Sequence, residues 1–216
     1  VNEREKEDNG EFVLYLGDSG YDPSVAEYHS SIQNLALWFI ENADGVDVSS
    51  HEGGGYWRVL YLFQRHPPSM SGMGGGDVEE SRYSLAGYVT LFHFRAPFKK
   101  PRGGIVLRVC QAFVLPPYQR AGHGAEMMEA VHEYAEGKYD DALAKEAEKK
   151  AKTGRGNNGR DGGLPKEDIV EVNVEDPAPA FEMLRDAVDY RRFKRLLAEA
   201  REGMRDPPLD WKYIGE

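Results

Sequence analysis

Two glycines separated by one residue stand where an apolar, strand-like segment gives way to a segment with helical spacing. Gly122 and Gly124 follow the apolar run 106–115, and the large apolar residues after them recur at helical intervals, namely Met127, Met128, Val131 and Tyr134. Glycines at the start of a helix leave backbone N–H groups uncovered, and these donors and the positive end of the helix dipole both favour an anion. The arrangement predicts a loop that binds a pyrophosphate group.

The residues around the glycines distinguish between kinds of phosphate loop. A Walker A loop requires Lys and then Ser or Thr after its last glycine, whereas Ala125 and Glu126 occupy those positions. A Rossmann fingerprint requires a third small residue where Met127 stands. The motif Q-x-x-G-x-G at 119–124 fits better, because it resembles the coenzyme A pyrophosphate signature of the GNAT acetyltransferases. A helix-start turn with incidental glycines is the alternative.

Further segments follow one another in an order typical of one GNAT family. They are Glu27-Tyr28-His29, Leu37-Trp38-Phe39-Ile40-Glu41, Gly87-Tyr88-Val89-Thr90, the string 111–125, the helix motif E-A-V-H-E-Y at 129–134, Val174-Glu175-Asp176-Pro177 and Leu184-Arg185-Asp186. Through these segments the chain resembles the catalytic subunit of type B histone acetyltransferases from about Phe12 to about Val188. The resemblance implies the GNAT fold, a mixed α/β (α+β) architecture in which a mostly antiparallel sheet contains a splayed parallel strand pair and is flanked by helices.

Acetyl transfer to lysine requires a general base. The lysine side chain has a reference pKa of about 10.4, so only ~1 in 2,500 molecules is the neutral amine at pH 7. A carboxylate can remove the proton directly or through a water molecule. The resemblance places Glu175 in this role and lines the lysine channel with Asp176 and Glu41. From spacing alone, Asp176-Pro177 could be a turn before a helix, and Glu41 a solvated residue near a helix end.

The resemblance also implies how acetyl-CoA is bound. The pantetheine arm is expected to pair with the backbone of Ala112, Phe113 and Val114, and the pyrophosphate to bind the loop residues Gln119, Arg120, Ala121, Gly122, His123, Gly124 and Ala125. Ala180 stands where some relatives have a polar residue near the coenzyme, and Phe181 keeps an aromatic ring that could pack on it. An oxyanion donor is expected at the backbone near Val114 or Leu115. Tyr118, Tyr134 and Tyr190 are available residue types for the general acid, and this mechanism requires no metal.

Other residues with reactive side chains have weaker patterns. Cys110 could act as a nucleophile with His93, His123 or His132 as its base, but a lone cysteine within a strand is more often a small core residue. His132-Glu133 is followed by Glu136 where a zincin requires histidine, so no metal site is predicted.

Three neighbouring residues, Phe92, His93 and Phe94, match the peptide-contacting segment of the family. The alternative is a purely structural role at the end of an ordinary strand with alternating aromatic residues.

Composition restricts the class of protein. The 216 residues are 40% hydrophobic and carry a net charge of −10, which argues against binding to a nucleic-acid backbone. An acidic surface suits a cationic partner, although it could equally serve solubility. A single cysteine excludes an internal disulfide framework, and no signal peptide or membrane-length apolar run is found. We expect a soluble intracellular protein, in the nucleus and cytoplasm by resemblance. Because it starts at Val1, we expect a fragment without the family's N-terminal domain.

The elements that must position these residues follow from periodicity. We predict a charged, disordered leader over 1–11, an acetyltransferase core over 12–190 with flexible insertions at about 66–82 and 137–166, and a C-terminal helical extension over 191–216. Within the core we predict a strand over 12–16, one helix from about 23 to 42, and strands over 56–63, 85–94, 105–115 and 168–174. A right-handed crossover between the last two strands would bring the glycine loop and Glu175-Asp176 to the same sheet edge.

The resemblance therefore predicts a histone lysine acetyltransferase that uses acetyl-CoA and acts on free histone tails, usually of core histone four at lysines preceded by Gly-x-Gly. A WD-repeat histone chaperone is the expected partner. Two alternatives stay open: an acetyltransferase for small amines or other proteins, and a coenzyme-binding histone escort with little turnover.

Overall fold

The computed structural model describes residues 11–41, 43–51, 54–66, 82–139 and 168–203. These residues divide into two units, Val1–Asp176 and Pro177–Glu216. The predicted leader, the loop 66–82 and the insertion 137–166 lie almost entirely outside the described residues. Over the described ranges, no helix combines the length and the apolarity needed to cross a membrane.

A five-stranded sheet forms the first unit, and its strands lie side by side in chain order. Each of the first three adjacent pairs is antiparallel, whereas the last pair is parallel. The strands are β1 (Phe12–Asp18), β2 (Tyr56–His66), β3 (Arg82–Ala96), β4 (Gly104–Val114) and β5 (Ile169–Val174). The predicted mixed sheet with one parallel strand pair is therefore confirmed.

Short helices cover one face of this sheet, and a longer helix covers the other. Among the described residues of the first unit, the α-helices are α1 (Ser24–Ile32), α2 (Asn34–Phe39) and α3 (His123–Ala135), and a 3-10 turn spans Pro116–Tyr118. The central strands contain continuous buried runs at 58–62 and 86–91, because both of their faces are covered.

The prediction of one helix from 23 to 42 is wrong in two respects. At Gln33 the helix tightens, because the N–H of Ala36 bonds to the Gln33 carbonyl only three residues earlier, and α1 and α2 separate there. The second helix ends at Phe39, since Ile40 takes an extended conformation with φ −118° and ψ 117°. Phe39, at the end of this helix, is 44% exposed.

The core against α1 and α2 consists largely of aromatic and β-branched side chains. Tyr61 and Tyr88 are buried at its centre, with Val25, Ala36 and Val59 around them. On the opposite face, α3 buries Met127, Met128, Ala130 and Val131. These two packing layers hold the ends of β4 and β5 at fixed positions.

The second unit contains α4 (Pro179–Gly203). This helix runs without interruption through residue 190, where the sequence predicted the acetyltransferase core to end.

Candidate active site

The site begins at a β-bulge in β4. Thr90 on β3 lies opposite Gln111 and Leu91 lies opposite Val109, so Cys110 is the extra residue on β4. The Thr90 hydroxyl oxygen accepts the backbone N–H of Gln111 at 3.0 Å, which fixes the bulge. Sequence patterns gave no sign of this side-chain contact.

At the same position the parallel pair ends. Val109 is the last β4 residue that pairs with β5, and its carbonyl accepts the N–H of Glu175 at 2.9 Å. Beyond it, no strand among the described residues pairs with this edge of β4. Strands β4 and β5 therefore separate at the bulge, and the stretch 111–114 presents an open edge.

Hydrogen-bond directions identify the free donors on this edge. The N–H of Leu115 donates to the Ala86 carbonyl of β3 at 2.8 Å, so it is not available as the predicted oxyanion donor. The backbone N–H groups of successive strand residues point to opposite sides of the strand. Because the Leu115 N–H points towards β3, those of Ala112 and Val114 point away from it. The Gln119 side chain confirms this direction, because its Nε2 donates to the Val114 carbonyl at 2.8 Å.

The glycine loop follows directly. Gly122 has φ 99°, a left-handed conformation that favours glycine, and its carbonyl accepts the N–H groups of Ala125 and Glu126 at 2.9 and 3.2 Å. A Cβ atom at Gly122 would meet open space, so the glycine is needed for backbone shape. The N–H groups before Ala125 in α3, those of His123 and Gly124, have no helical acceptor and can bind an anion beside this space.

Aromatic packing anchors the loop. The ring of Phe12 on β1 lies 4.1 Å from the His123 ring and 5.9 Å from the Tyr118 ring. His123 is buried, and its Nδ1 lies 3.0 Å from the Glu126 carboxylate. Its backbone is therefore the part that can contact a phosphate, and sequence reasoning missed the role of Phe12.

The predicted acidic residues lie around the end of β5 and the end of α2. Glu175 and Asp176 are exposed directly after β5, and Asp176 has a left-handed φ of 37°, a strained conformation of the kind that clusters at functional sites. Glu41 is exposed two residues after Phe39, whose ring stacks on Phe113 of β4 at 5.9 Å.

Gln111 ties the segment after α2 to the bulge. Its Nε2 donates to the Asp44 carbonyl at 2.7 Å. This contact and the Phe39 stacking bring the segment that carries Glu41 to the same stretch of β4 as the open edge, while its role as a site residue stays a prediction.

Cys110 lies beside the candidate base. Burial, and then the neighbouring Glu175 carboxylate, raise the pKa of its thiol to about 12. A thiol with this pKa stays protonated at neutral pH, which disfavours the alternative of a cysteine nucleophile.

The predicted peptide-contacting residues are divided between the two faces of β3. Phe92 and Phe94 are half-buried on one face, where Phe92 packs against Trp57 at 4.7 Å. His93 lies on the opposite face and is fully buried, with its Nε2 2.8 Å from the Tyr134 hydroxyl. The His93 side chain is therefore a core residue and does not reach the surface with its neighbours, because successive strand residues alternate in direction.

The same buried contacts bear on the general acid. The Tyr134 hydroxyl is held between His93 and the Arg58 guanidinium, and Arg58 also pairs with Asp18 at 2.9 Å. Burial, and then the charge of Arg58, hold the pKa of His93 well below its usual value. Tyr134 therefore serves the packing of α3 on the sheet.

Three remaining candidates belong to a different unit of the chain. Ala180 and Phe181 occupy the first turn of α4, and Tyr190 lies further along that helix, so all three belong to the second unit. Their predicted roles stay predictions. Over the described part of the chain, no group of three or more potential metal ligands is found.

Known proteins resemble this chain in both sequence and structure. The histone acetyltransferase type B catalytic subunit of Homo sapiens is 30% identical over 195 residues, covering 90% of the chain and 36% of the relative. That of Cryptococcus neoformans is 26% identical over 216 residues, covering 96% of the chain and 41% of the relative. No protein-family model matches the chain.

Among solved structures, an aminoglycoside acetyltransferase from an uncultured soil metagenomic sample aligns with a TM-score of 0.40 and 11% identity, covering 84% of this chain and 85% of that one. A Trypanosoma brucei acetyltransferase aligns with a TM-score of 0.39 and 13% identity, covering 82% and 91%.

A mostly antiparallel sheet whose parallel last pair separates at a bulge, followed by a glycine loop and a helix, is the arrangement that the resemblance to the GNAT fold predicted. Over most of its length the chain is similar in sequence to type B histone acetyltransferase catalytic subunits, as its own motifs predicted. It spans about a third of the length of the curated relatives it matches.

Proposed function

We propose that this chain carries the catalytic core of a histone lysine acetyltransferase that uses acetyl-CoA and Glu175 as general base. The observation that carries the proposal is the hydrogen bond from the Glu175 N–H to the Val109 carbonyl at the bulge. It sets the Glu175 carboxylate at the point where β4 and β5 separate, beside the open edge of β4 that leads to the glycine loop.

The residues present fit the coenzyme. The first turn of α3 and the open space at Gly122 suit a pyrophosphate, and the outward N–H groups of Ala112 and Val114 suit an extended amide chain. Acetyl-CoA supplies the thioester that the substrate amine attacks. The Val114 N–H is the donor best placed in direction to stabilise the developing oxyanion, since Leu115 is already engaged.

The carboxylates provide the proton acceptor and the local charge. Glu175 would take the proton from the lysine ammonium, directly or through a water, and Asp176 and Glu41 would attract the cation. The Cys110 thiol stays protonated, with its Sγ donating to the Arg108 carbonyl at 3.8 Å, so it does not compete as a nucleophile.

A peptide substrate has an aromatic surface available. Phe92, Phe94 and Trp57 lie on one face of the sheet, and a hollow of about 470 Å³ opens beside Phe94, bordered by the turn 95–99 and by Glu171 and Asn173. This surface and a net charge of −10 suit a lysine-rich tail, and the homologues favour a histone. We extend the proposal to core histone four, to a WD-repeat histone chaperone as partner, and to the nucleus and cytoplasm.

A turnover assay with matched substrates tests the proposal. The chain is incubated with acetyl-CoA and a histone four tail peptide, the same peptide with Ala-x-Ala in place of Gly-x-Gly, or a free polyamine. We expect kcat/KM to be highest for the native peptide and to fall with added salt, because screening weakens the acidic attraction. Equal turnover of polyamine and peptide would favour a small-amine acetyltransferase, and binding of coenzyme and histone without turnover would favour a histone escort.

A further inference from the structure

We infer that Arg108 is a positioning residue that orients the Glu175 carboxylate for proton transfer. The inference rests on the proposed function, and it adds a residue that the sequence motifs did not indicate. It follows from the contacts that hold the guanidinium on the same sheet face as Phe92 and Phe94.

The strand register sets Arg108 beside its first partner. Arg108 on β4 lies opposite Asn173 on β5, and its Nε donates to the Asn173 Oδ1 at 3.2 Å. Asn173 itself receives a fixed orientation, since its Nδ2 donates to Glu171 at 3.2 Å. The guanidinium plane is therefore directed along β5 towards Glu175, two residues further on the same face.

An aromatic ring supports the guanidinium from the sheet. The Cζ atom of Arg108 lies 5.0 Å from the centre of the Phe94 ring, within the range of a cation–π contact. A planar guanidinium stacks on the ring while its N–H groups stay in the plane to donate, a geometry that the compact ammonium of lysine does not reproduce.

The contact with Glu175 is loose in a way that suits a base. Arg108 Nη1 lies 3.9 Å from Glu175 Oε1, which is an ion pair without a direct hydrogen bond. The carboxylate is attracted to one side while its oxygen atoms stay available to accept a proton. The two side chains are 38% and 51% exposed, so solvent screens the attraction and its effect on rate should be moderate.

The neighbouring acid on β5 provides the contrast. Glu171 lies on the same face of the strand and forms a direct ion pair with Lys99, and this contact with Lys99 and then the one with Asn173 lower its pKa. The charge of Glu171 is thus compensated by Lys99, whereas the Glu175 carboxylate is attracted by Arg108 and stays accessible. The difference between the two acids is the one expected between a structural ion pair and a positioned base.

The test is a double-mutant cycle of Arg108→Gln and Glu175→Gln. In the wild-type background, Arg108→Gln should lower kcat by roughly 10-fold with little change in the acetyl-CoA Kd. In the Glu175→Gln background the same substitution should change kcat by less than about 2-fold, because the group it positions is gone. Arg108→Lys should recover only part of the rate.

A matched control is available just before the start of β4. Arg102 forms an exposed ion pair with Asp168 at 2.8 Å, at the far end of the β4–β5 pair, and Arg102→Gln should leave kcat unchanged. Equal losses from Arg108→Gln in both backgrounds would show a general structural effect, and would overturn the inference.

A second readout separates this inference from the proposed function. Cys110 is the single cysteine of the chain, and its Sγ donates to the Arg108 carbonyl at 3.8 Å. The charges of Glu175 and Arg108 shift the pKa of Cys110 in opposite directions, so its alkylation rate at pH 9 reports the local charge without any turnover. The four proteins of the cycle should show non-additive alkylation rates if Arg108 and Glu175 interact. Additive rates would overturn the inference even in an active enzyme, and coupled rates in an inactive chain would reject only the proposed function.

Discussion

The backbone N–H of Glu175 donates to the carbonyl of Val109 at 2.9 Å, one residue before the bulge at Cys110. This bond closes the parallel ladder between β4 and β5 and sets the position from which the Glu175 side chain extends. Because the β4 edge is open beyond it, the same bond marks the start of the cleft. The chemistry of the site therefore depends on where a single strand pair ends.

The left-handed glycine before α3 gives the first prediction. Gly122→Ala should weaken acetyl-CoA binding, because an alanine with φ near 99° is strained by about 1–2 kcal/mol and the loop would relax out of shape. Calorimetric titration with acetyl-CoA measures the change.

Gly137 supplies the control for this prediction. It has φ 74° just beyond the opposite end of α3, so Gly137→Ala should lower the Tm by a similar mechanism while leaving acetyl-CoA affinity intact. Equal affinity losses in both variants would indicate a general effect of helix instability and contradict a specific role for the loop.

A buried histidine predicts how stability depends on pH. His29 is fully buried, and burial lowers its pKa from 6.5 to about 4, so the unfolded chain binds this proton first. Stability should therefore fall as pH falls from about 6.5 towards 4, with a loss of roughly 2 kcal/mol from this residue between pH 7.5 and 5. Urea unfolding of wild type and His29→Gln at both pH values should show a smaller pH dependence in the variant, whereas the partly exposed His66→Gln should behave as wild type.

The hydroxyl of Tyr134 gives a prediction that separates packing from catalysis. Tyr134→Phe should cost about 1–3 kcal/mol of stability, because Arg58 and His93 both lose a buried partner. Turnover per folded molecule should stay near the wild-type value. A large loss of kcat with normal stability would instead restore Tyr134 as the general acid.

Much of the fold could be predicted from the sequence because period-two and helical patterns are local. The apolar runs within 56–63 and 105–115 indicated strands, whose side chains alternate between the two faces, and the right-handed crossover rule indicated that β4 and β5 end at one edge. The same alternation could have separated His93 from Phe92 and Phe94, since neighbouring strand residues face opposite ways.

Contacts between distant residues left no local signal. The break at Gln33 is local, a hydrogen bond between residues three apart, but it also left no signal because the residue types there are all acceptable in a helix. The bulge depends on the Thr90 hydroxyl, and the position of Arg108 depends on its register with Asn173. A single sequence does not reveal these pairs, because none of them changes the local pattern of apolar residues.

The central claim is that Glu175 removes the lysine proton, and Glu175→Gln tests it most directly. The measurement is kcat for acetyl transfer to a histone four tail peptide at pH 7 to 9, together with the acetyl-CoA Kd, for wild type, Glu175→Gln and the neighbouring Asp176→Asn. Our account predicts that Glu175→Gln lowers kcat by roughly 10²-fold or more, with partial recovery at high pH as the free amine becomes more abundant, while acetyl-CoA binding is retained. A Glu175→Gln protein with near-normal kcat across this pH range would contradict it.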